Sequence, residues 1–259
     1  MLARAETSEN ADYLPDKIGA GPIDVVDTLG IFLAAMITVS QLLDKAFACR
    51  LCPKSYGFSS RTADEPFFKF PPIIGKTHDA NLLFVGINPR ISNSNRSDHD
   101  FWMRDKPNFR SLSENKLRGQ FYIEQEPHYR FHIRLVKILF GEYCKFENVA
   151  AVTEIFLCAT KDSNGLPSPE SPCADIYFGD TVGLTNPKVI VAVGGRVMEY
   201  FNILPNNKWI QNQMVLKFDG RAIPVDSIPH PADRSLSESQ KHVRVLETAT
   251  HRRQHLAKC

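Results

Sequence analysis

Apolar residues collect in runs that end in breaks: Asn81–Val85 before Gly86, Val149–Thr153, Val189–Val193 before Gly194 and Gly195, and Ala222–Val225 with Ile228. Short runs rich in Val and Ile, bounded by glycine, predict buried parallel strands. Between them lie helical patterns at Tyr129–Phe140, Arg196–Leu204 and Glu238–Thr248, the last with Val243 and Leu246 on one face. Upstream, Val26, Leu29, Ile31, Leu33, Ile37, Leu42 and Leu43 give Ile23–Ala48 a broad apolar face, which predicts another helix. The alternation predicts an α/β protein, a three-layer α/β/α sandwich around a central, mainly parallel four-stranded sheet. Residues 1–45 read as a flexible lead plus helix, 46–249 as the α/β domain and 250–259 as a basic tail.

Composition narrows the class. With 259 residues, 43% of them hydrophobic and 23% charged, the chain is globular, which excludes a disordered, collagen-like or disulfide-scaffold protein. A net charge of +2 does not by itself point to nucleic acid. Its distribution is uneven: acids prevail before Ala48, whereas Lys241, Arg244, Arg252, Arg253 and Lys258 oppose only Glu247 at the other end. That basic end reads as a solvated face. The apolar stretch Leu29–Val39 is about half the length of a bilayer span, and acids with Pro15 precede it, so neither a membrane segment nor a signal peptide is expected. A cytoplasmic monomer is the expectation.

In open α/β sheets ligands bind beyond the carboxyl ends of the strands, where loops converge. That rule selects Gly86–Arg90, Thr153 with Glu154, Gly194–Arg196, and Pro229–Asp233. Phosphate-loop, dinucleotide, zinc-protease and nucleophile-elbow signatures are absent from the sequence. Gly194 and Gly195 read as a turn for helix packing in preference to a phosphate site, and Asp98 and Asp100 as solvated acids.

The cysteines add chemistry. Cys49 and Cys52 form a CxxC pair, which suits zinc, redox work or chance. Cys158 and Cys173 enclose fourteen residues rich in Pro, Ser, Gly and Asn, a loop that cannot pack a core of its own and that a metal centre at its ends would fix. A zinc ribbon brings a second CxxC, which is missing, whereas separated thiolates suit an iron-sulfur cluster. Four unrelated buried thiols are the plain alternative. Cys144 and Cys259 stand outside the set.

Taken in order, Cys49-x2-Cys52, the strand Leu83–Gly86, Thr153-x4-Cys158-x14-Cys173, Pro187–Gly194 and His230 with Pro231 resemble the iron-sulfur branch of the uracil-DNA glycosylase superfamily. The likeness runs from about Ala48 to Ser235. It implies the α/β/α fold, a 4Fe-4S cluster on Cys49, Cys52, Cys158 and Cys173, and hydrolysis of the N-glycosidic bond of uracil in DNA to leave an abasic site. DNA containing uracil or a related lesion is the implied partner. Gly86–Pro89 is similar instead to the mismatch-specific uracil glycosylases, in which the residue matching Asn88 positions the attacking water. His230 matches the histidine that bonds the uracil carbonyl. Phe101 stands near the position of the aromatic that stacks on the flipped base, with a core aromatic beside Trp102 as the alternative. Gly86 and Ile87 belong to the implied substrate pocket.

Three positions depart from the pattern. Glu154 stands where the iron-sulfur branch has an Asn that reads the uracil edge, Arg234 stands for the apolar wedge, and Arg90 replaces the Tyr that excludes the thymine methyl. An Asn offers a donor and an acceptor, whereas an ionised Glu only accepts, so a substrate range wider than uracil is expected. Arg90, Arg234 and Ser235 form the implied DNA contact. A noncatalytic iron-sulfur DNA-binding or sensing module is the alternative from another class, and a zinc-stapled protein acting on a nucleotide or nucleoside is a third.

Overall fold

The computed structural model describes residues 37–49, 73–87, 129–157, 173–203, 207–210, 213–253 and 256. Its strands are β1 (Ile74–Gly75), β2 (Leu82–Gly86), β3 (Ala150–Glu154), β4 (Val189–Val193), β5 (Asn207–Ile210), β6 (Gln213–Phe218) and β7 (Arg221–Ile228). They form one mixed seven-stranded sheet in the order β1-β3-β2-β4-β7-β6-β5. The expected strands β3, β2, β4 and β7 run parallel to their neighbours in this set. The sheet is larger than the four strands expected, because β1 adds antiparallel to β3 and β5–β6 add antiparallel beyond β7. At the β6–β7 turn Asp219 and Gly220 both have positive φ, 47° and 72°, the backbone that closes a two-residue hairpin without splaying its strands.

The helices are α1 (Val39–Ala48), α2 (Arg130–Phe140), α3 (Phe146–Val149), a π-helix (Ala174–Phe178) continuing into α4 (Gly179–Thr185), α5 (Gly195–Ile203) and α6 (Glu238–Arg252). Capping boxes start two of them: Thr38 with Gln41 at α1, and Ser237 with Gln240 at α6. Strand alternation divides the core in two. Leu83, Val85, Ala151, Ile190 and Ala192 join Leu42 of α1, Tyr177, Val182 of α4 and Phe201 of α5. Leu82, Phe84, Ala150, Val152 and Val191 join Phe131 and Leu135 of α2, Phe146 of α3 and Val245 of α6. Each such large side chain contributes roughly 1.5–3 kcal/mol by leaving water. No helix among the described residues is long and apolar enough to cross a membrane.

Helix α6 corrects the sequence expectation. Val243 and Leu246 are exposed, and the buried face is Lys241, Val245, Ala249 and Arg252. The two basic residues can be buried because each has partners: Arg252 makes a two-pronged pair with Asp226 of β7, and Lys241 donates to Pro231 O and Glu238 Oε1 at 3.0 Å each. The basic end is therefore partly core rather than a solvated face throughout.

Candidate functional site

Register brings the ends of the four parallel strands level. Gly86 pairs with Glu154 across β2–β3, Val85 with Ala192 across β2–β4, and Val193 with Ile228 across β4–β7. At about 4.8 Å per strand, β3 and β7 stand about 14 Å apart along this edge. The two outer strands lead to Glu154 and His230, and the two inner ones to Gly86 and Gly194. Each outer side chain leans over the neighbouring glycine.

At one flank the Glu154 carboxyl covers Gly86. A β-carbon at position 86 would stand 2.6 Å from Oε1 and from Cδ, and closer still to Oε2, so a larger residue there would have to push the carboxyl aside. Oε2 is enclosed and has no hydrogen-bond partner among the described residues. Burial alone pushes the carboxyl up to about 8, so at neutral pH Glu154 holds its proton. The ionised Glu expected from sequence is thus replaced by a neutral acid that both donates and accepts. Just beyond it, Ile155 N–H donates to Gly86 O at 2.9 Å and Phe156 N–H to Ile87 O at 3.0 Å. Those bonds fasten β3's exit to the turn that leads to Asn88.

At the other flank His230 lies over Gly194, which has φ +95° and donates its N–H to Ile228 O at 2.8 Å. A β-carbon there would meet His230 Cβ at 3.0 Å, so position 194 favours glycine both for backbone and for space. Ala232 N–H donates to His230 Nδ1 at 3.1 Å. In a neutral ring that leaves the proton on Nε2, which makes Nε2 a donor. Asp233 N–H closes the turn on His230 O at 2.9 Å. Asp233 Oδ1 in turn accepts from Ser235 Oγ at 2.7 Å and Ser235 N–H at 2.8 Å, and these bonds hold its carboxyl below the ordinary range. Arg234 and Ser235 are exposed on this loop.

Sequence reasoning missed Lys241, which anchors the loop from below. Its Nζ bonds to Pro231 O and to Glu238, and Glu238 also takes Arg130 Nη2 from α2 at 2.8 Å. The Lys241 hydrogen bond is the main reason that the Glu238 carboxyl lies below its ordinary range. Glu238 and Lys241 at i and i+3 are the visible signal, but nothing local shows that the lysine turns inward.

Cys49 follows α1 and Cys173 precedes the π-helix, and both pack against the same core cluster. Neither is in a disulfide, and Leu157 N–H points at Cys173 Sγ from 3.5 Å. Soft sulfur donors with a backbone N–H directed at sulfur fit an iron-sulfur site, whose ligands carry such bonds. Cys158 follows Leu157 directly in the chain. Among the described residues no group of three or more potential ligands gathers. Cys144, against the other core cluster, is disulfide-bonded. Cys52, Asn88, Arg90, Phe101 and Cys158 lie outside the described residues.

No family model matches this chain, and no curated protein matches it.

Proposed function

We propose that the protein is a DNA glycosylase that removes uracil, and related deaminated or damaged bases, from DNA by hydrolysis. The observation that carries this reading is the pair of side chains, Glu154 and His230, leaning over two glycines at the carboxyl edge of four parallel strands. About 14 Å between their backbones, shortened by both side chains, suits one planar base. In this reading the helices and sheet make a three-layer sandwich, and the flipped base enters at its open edge.

Cleavage of the bond between N1 and the sugar leaves the electron pair on the base and positive charge on the sugar. His230 Nε2–H is the donor to the base carbonyl, where negative charge grows. Its tautomer, set by Ala232 N–H, serves that role without a charged ring. Asn88 has no basicity, so its part is to orient water toward the sugar carbon. The water supplies the new C–O bond and releases a proton, and the departing base anion takes one up. Phe101 stacks on the base, and Arg90, Arg234 and Ser235 grip the DNA. Cys49, Cys52, Cys158 and Cys173 would hold a 4Fe-4S cluster, which supplies a fixed crosslink between the segment after α1 and the loop before the π-helix. Cysteine replaced by serine at position 49 should lower iron content.

The test is incubation with an end-labelled oligonucleotide carrying one uracil, followed by alkali. Cleavage at the uracil is expected. DNA bound but left intact would favour the noncatalytic iron-sulfur module, and the absence of both binding and cleavage would contradict the reading.

A further inference from the structure

We propose that Glu154 is the proton-dependent specificity residue of this site, its neutral carboxyl donating to and accepting from the lactam edge of the bound base, and losing that match when it ionises. The inference rests on the base-binding reading above and adds the chemistry of recognition. Four observations support it. Glu154 ends β3 at the sheet edge where ligands bind, level with Gly86 on β2. Its carboxyl occupies the volume that Gly86 leaves empty, so it leans toward the inner strands and not away from them. Oε2 is buried without a partner, an exception among buried polar atoms that a ligand would resolve. The carboxyl is also neutral at physiological pH through burial alone.

The ionisable groups on the surrounding elements do not alter this. His132 of α2 packs on Phe84, one pleat below Gly86, with ring centroids 4.7 Å apart. Arg134 is on the same helix, Lys76 follows β1, and His230 follows β7 beyond the two glycine-ended strands. None of these contributes to the shift at Glu154, whose cause among the described residues is burial.

The hydrogen-bond inventory fixes the consequence. A neutral carboxyl donates its O–H to a base carbonyl such as uracil O4 and accepts N3–H on its other oxygen. Because the proton can reside on either oxygen, the same group also matches an edge with donor and acceptor exchanged. That tolerance gives a physical basis for a substrate range wider than uracil. Once ionised, Glu154 only accepts, and it repels O4.

The test uses the full-length wild-type protein and Glu154→Gln, with free uracil as the probe. First, the carboxylic C=O band in the infrared difference between the two proteins is followed from pH 5 to pH 10 without ligand. A midpoint near 8 is expected. Second, uracil affinity is measured at pH 7 and pH 9. The neutral fraction falls from about nine-tenths to about one-tenth, so wild-type affinity should weaken about tenfold. Glu154→Gln keeps a permanent donor and acceptor, and its affinity should show only the smaller change due to uracil itself. A C=O band already lost below pH 6, or wild-type affinity that tracks Glu154→Gln across the range, would overturn the role of Glu154 while leaving base binding intact. A band that titrates near 8 with no uracil bound at either pH would overturn the base-binding reading instead. Should Glu154→Gln fold poorly, Glu154→Asn, which also keeps a permanent donor and acceptor, takes its place in both measurements.

Discussion

Glu154 over Gly86 and His230 over Gly194 repeat one device with opposite wiring. On the β3–β2 flank the glycine provides space, and the side chain that fills it keeps a buried oxygen without a partner. On the β4–β7 flank the glycine provides space and a left-handed backbone, and the histidine is pinned by Ala232 N–H, by the turn to Asp233, and below that by Lys241 on Pro231. The second flank is preorganised, which suits the donor role proposed for His230. The first holds a polar group at a cost in stability, which is characteristic of a group retained for what it binds.

The two flanks differ most in how stability depends on pH. The Glu154 carboxyl binds its proton more tightly folded than unfolded, so between about 4.5 and about 8 the native state carries the extra proton. Stability then falls as pH rises through that window, by up to about 1.4 kcal/mol per pH unit, and levels off above it. Glu154→Gln removes this term, so urea unfolding at pH 5 and pH 8 should show a smaller loss in the variant. An equal pH dependence in both proteins would mean that the carboxyl is not held neutral. The next effect is on the other flank: His230→Ala should slow single-turnover excision by about 2–4 kcal/mol of transition-state stabilisation with near-normal stability.

The glycines sharpen the contrast. Gly194→Ala forces an L side chain to φ +95° and crowds His230, for an expected loss of about 1–3 kcal/mol at any pH. Gly86→Ala has only the far end of the Glu154 side chain to displace, so it should cost less than Gly194→Ala, about 1 kcal/mol or below, and flatten the pH dependence as the carboxyl reaches water. The smallest effect is Arg234→Ala. As an exposed residue it should change stability by less than about 0.5 kcal/mol, while DNA affinity falls and the salt slope drops by about one.

The parallel core was legible because its strands are continuous apolar runs. Val189–Val193 is observed as expected from sequence, whereas β2 and β3 each begin and end one residue later than their apolar runs, with Gly86 and Glu154 paired at the end of the ladder. Strands β5 and β6 were not anticipated, although Asp219 and Gly220 carry a hairpin signal, and the two-residue β1 is too short to leave a pattern. The inverted face of α6 was out of reach for another reason: hydropathy cannot see Asp226, Pro231 and Glu238 waiting for Arg252 and Lys241. At the site, position was legible and protonation was not. Strand ends pointed to Glu154 and His230, but the neutral state of Glu154 comes from burial in the folded chain, where strand pairing sets it beside Gly86, 68 positions away.

Amide chemical-shift mapping with free uracil tests the shared site most directly. The largest changes should fall on Gly86, Ile87 and Glu154 at one flank and on Gly194, His230 and Ala232 at the other, with β5 and β6 unmoved. Saturable shifts confined to one flank, or centred away from the carboxyl edge of the parallel strands, would contradict a single base site between Glu154 and His230.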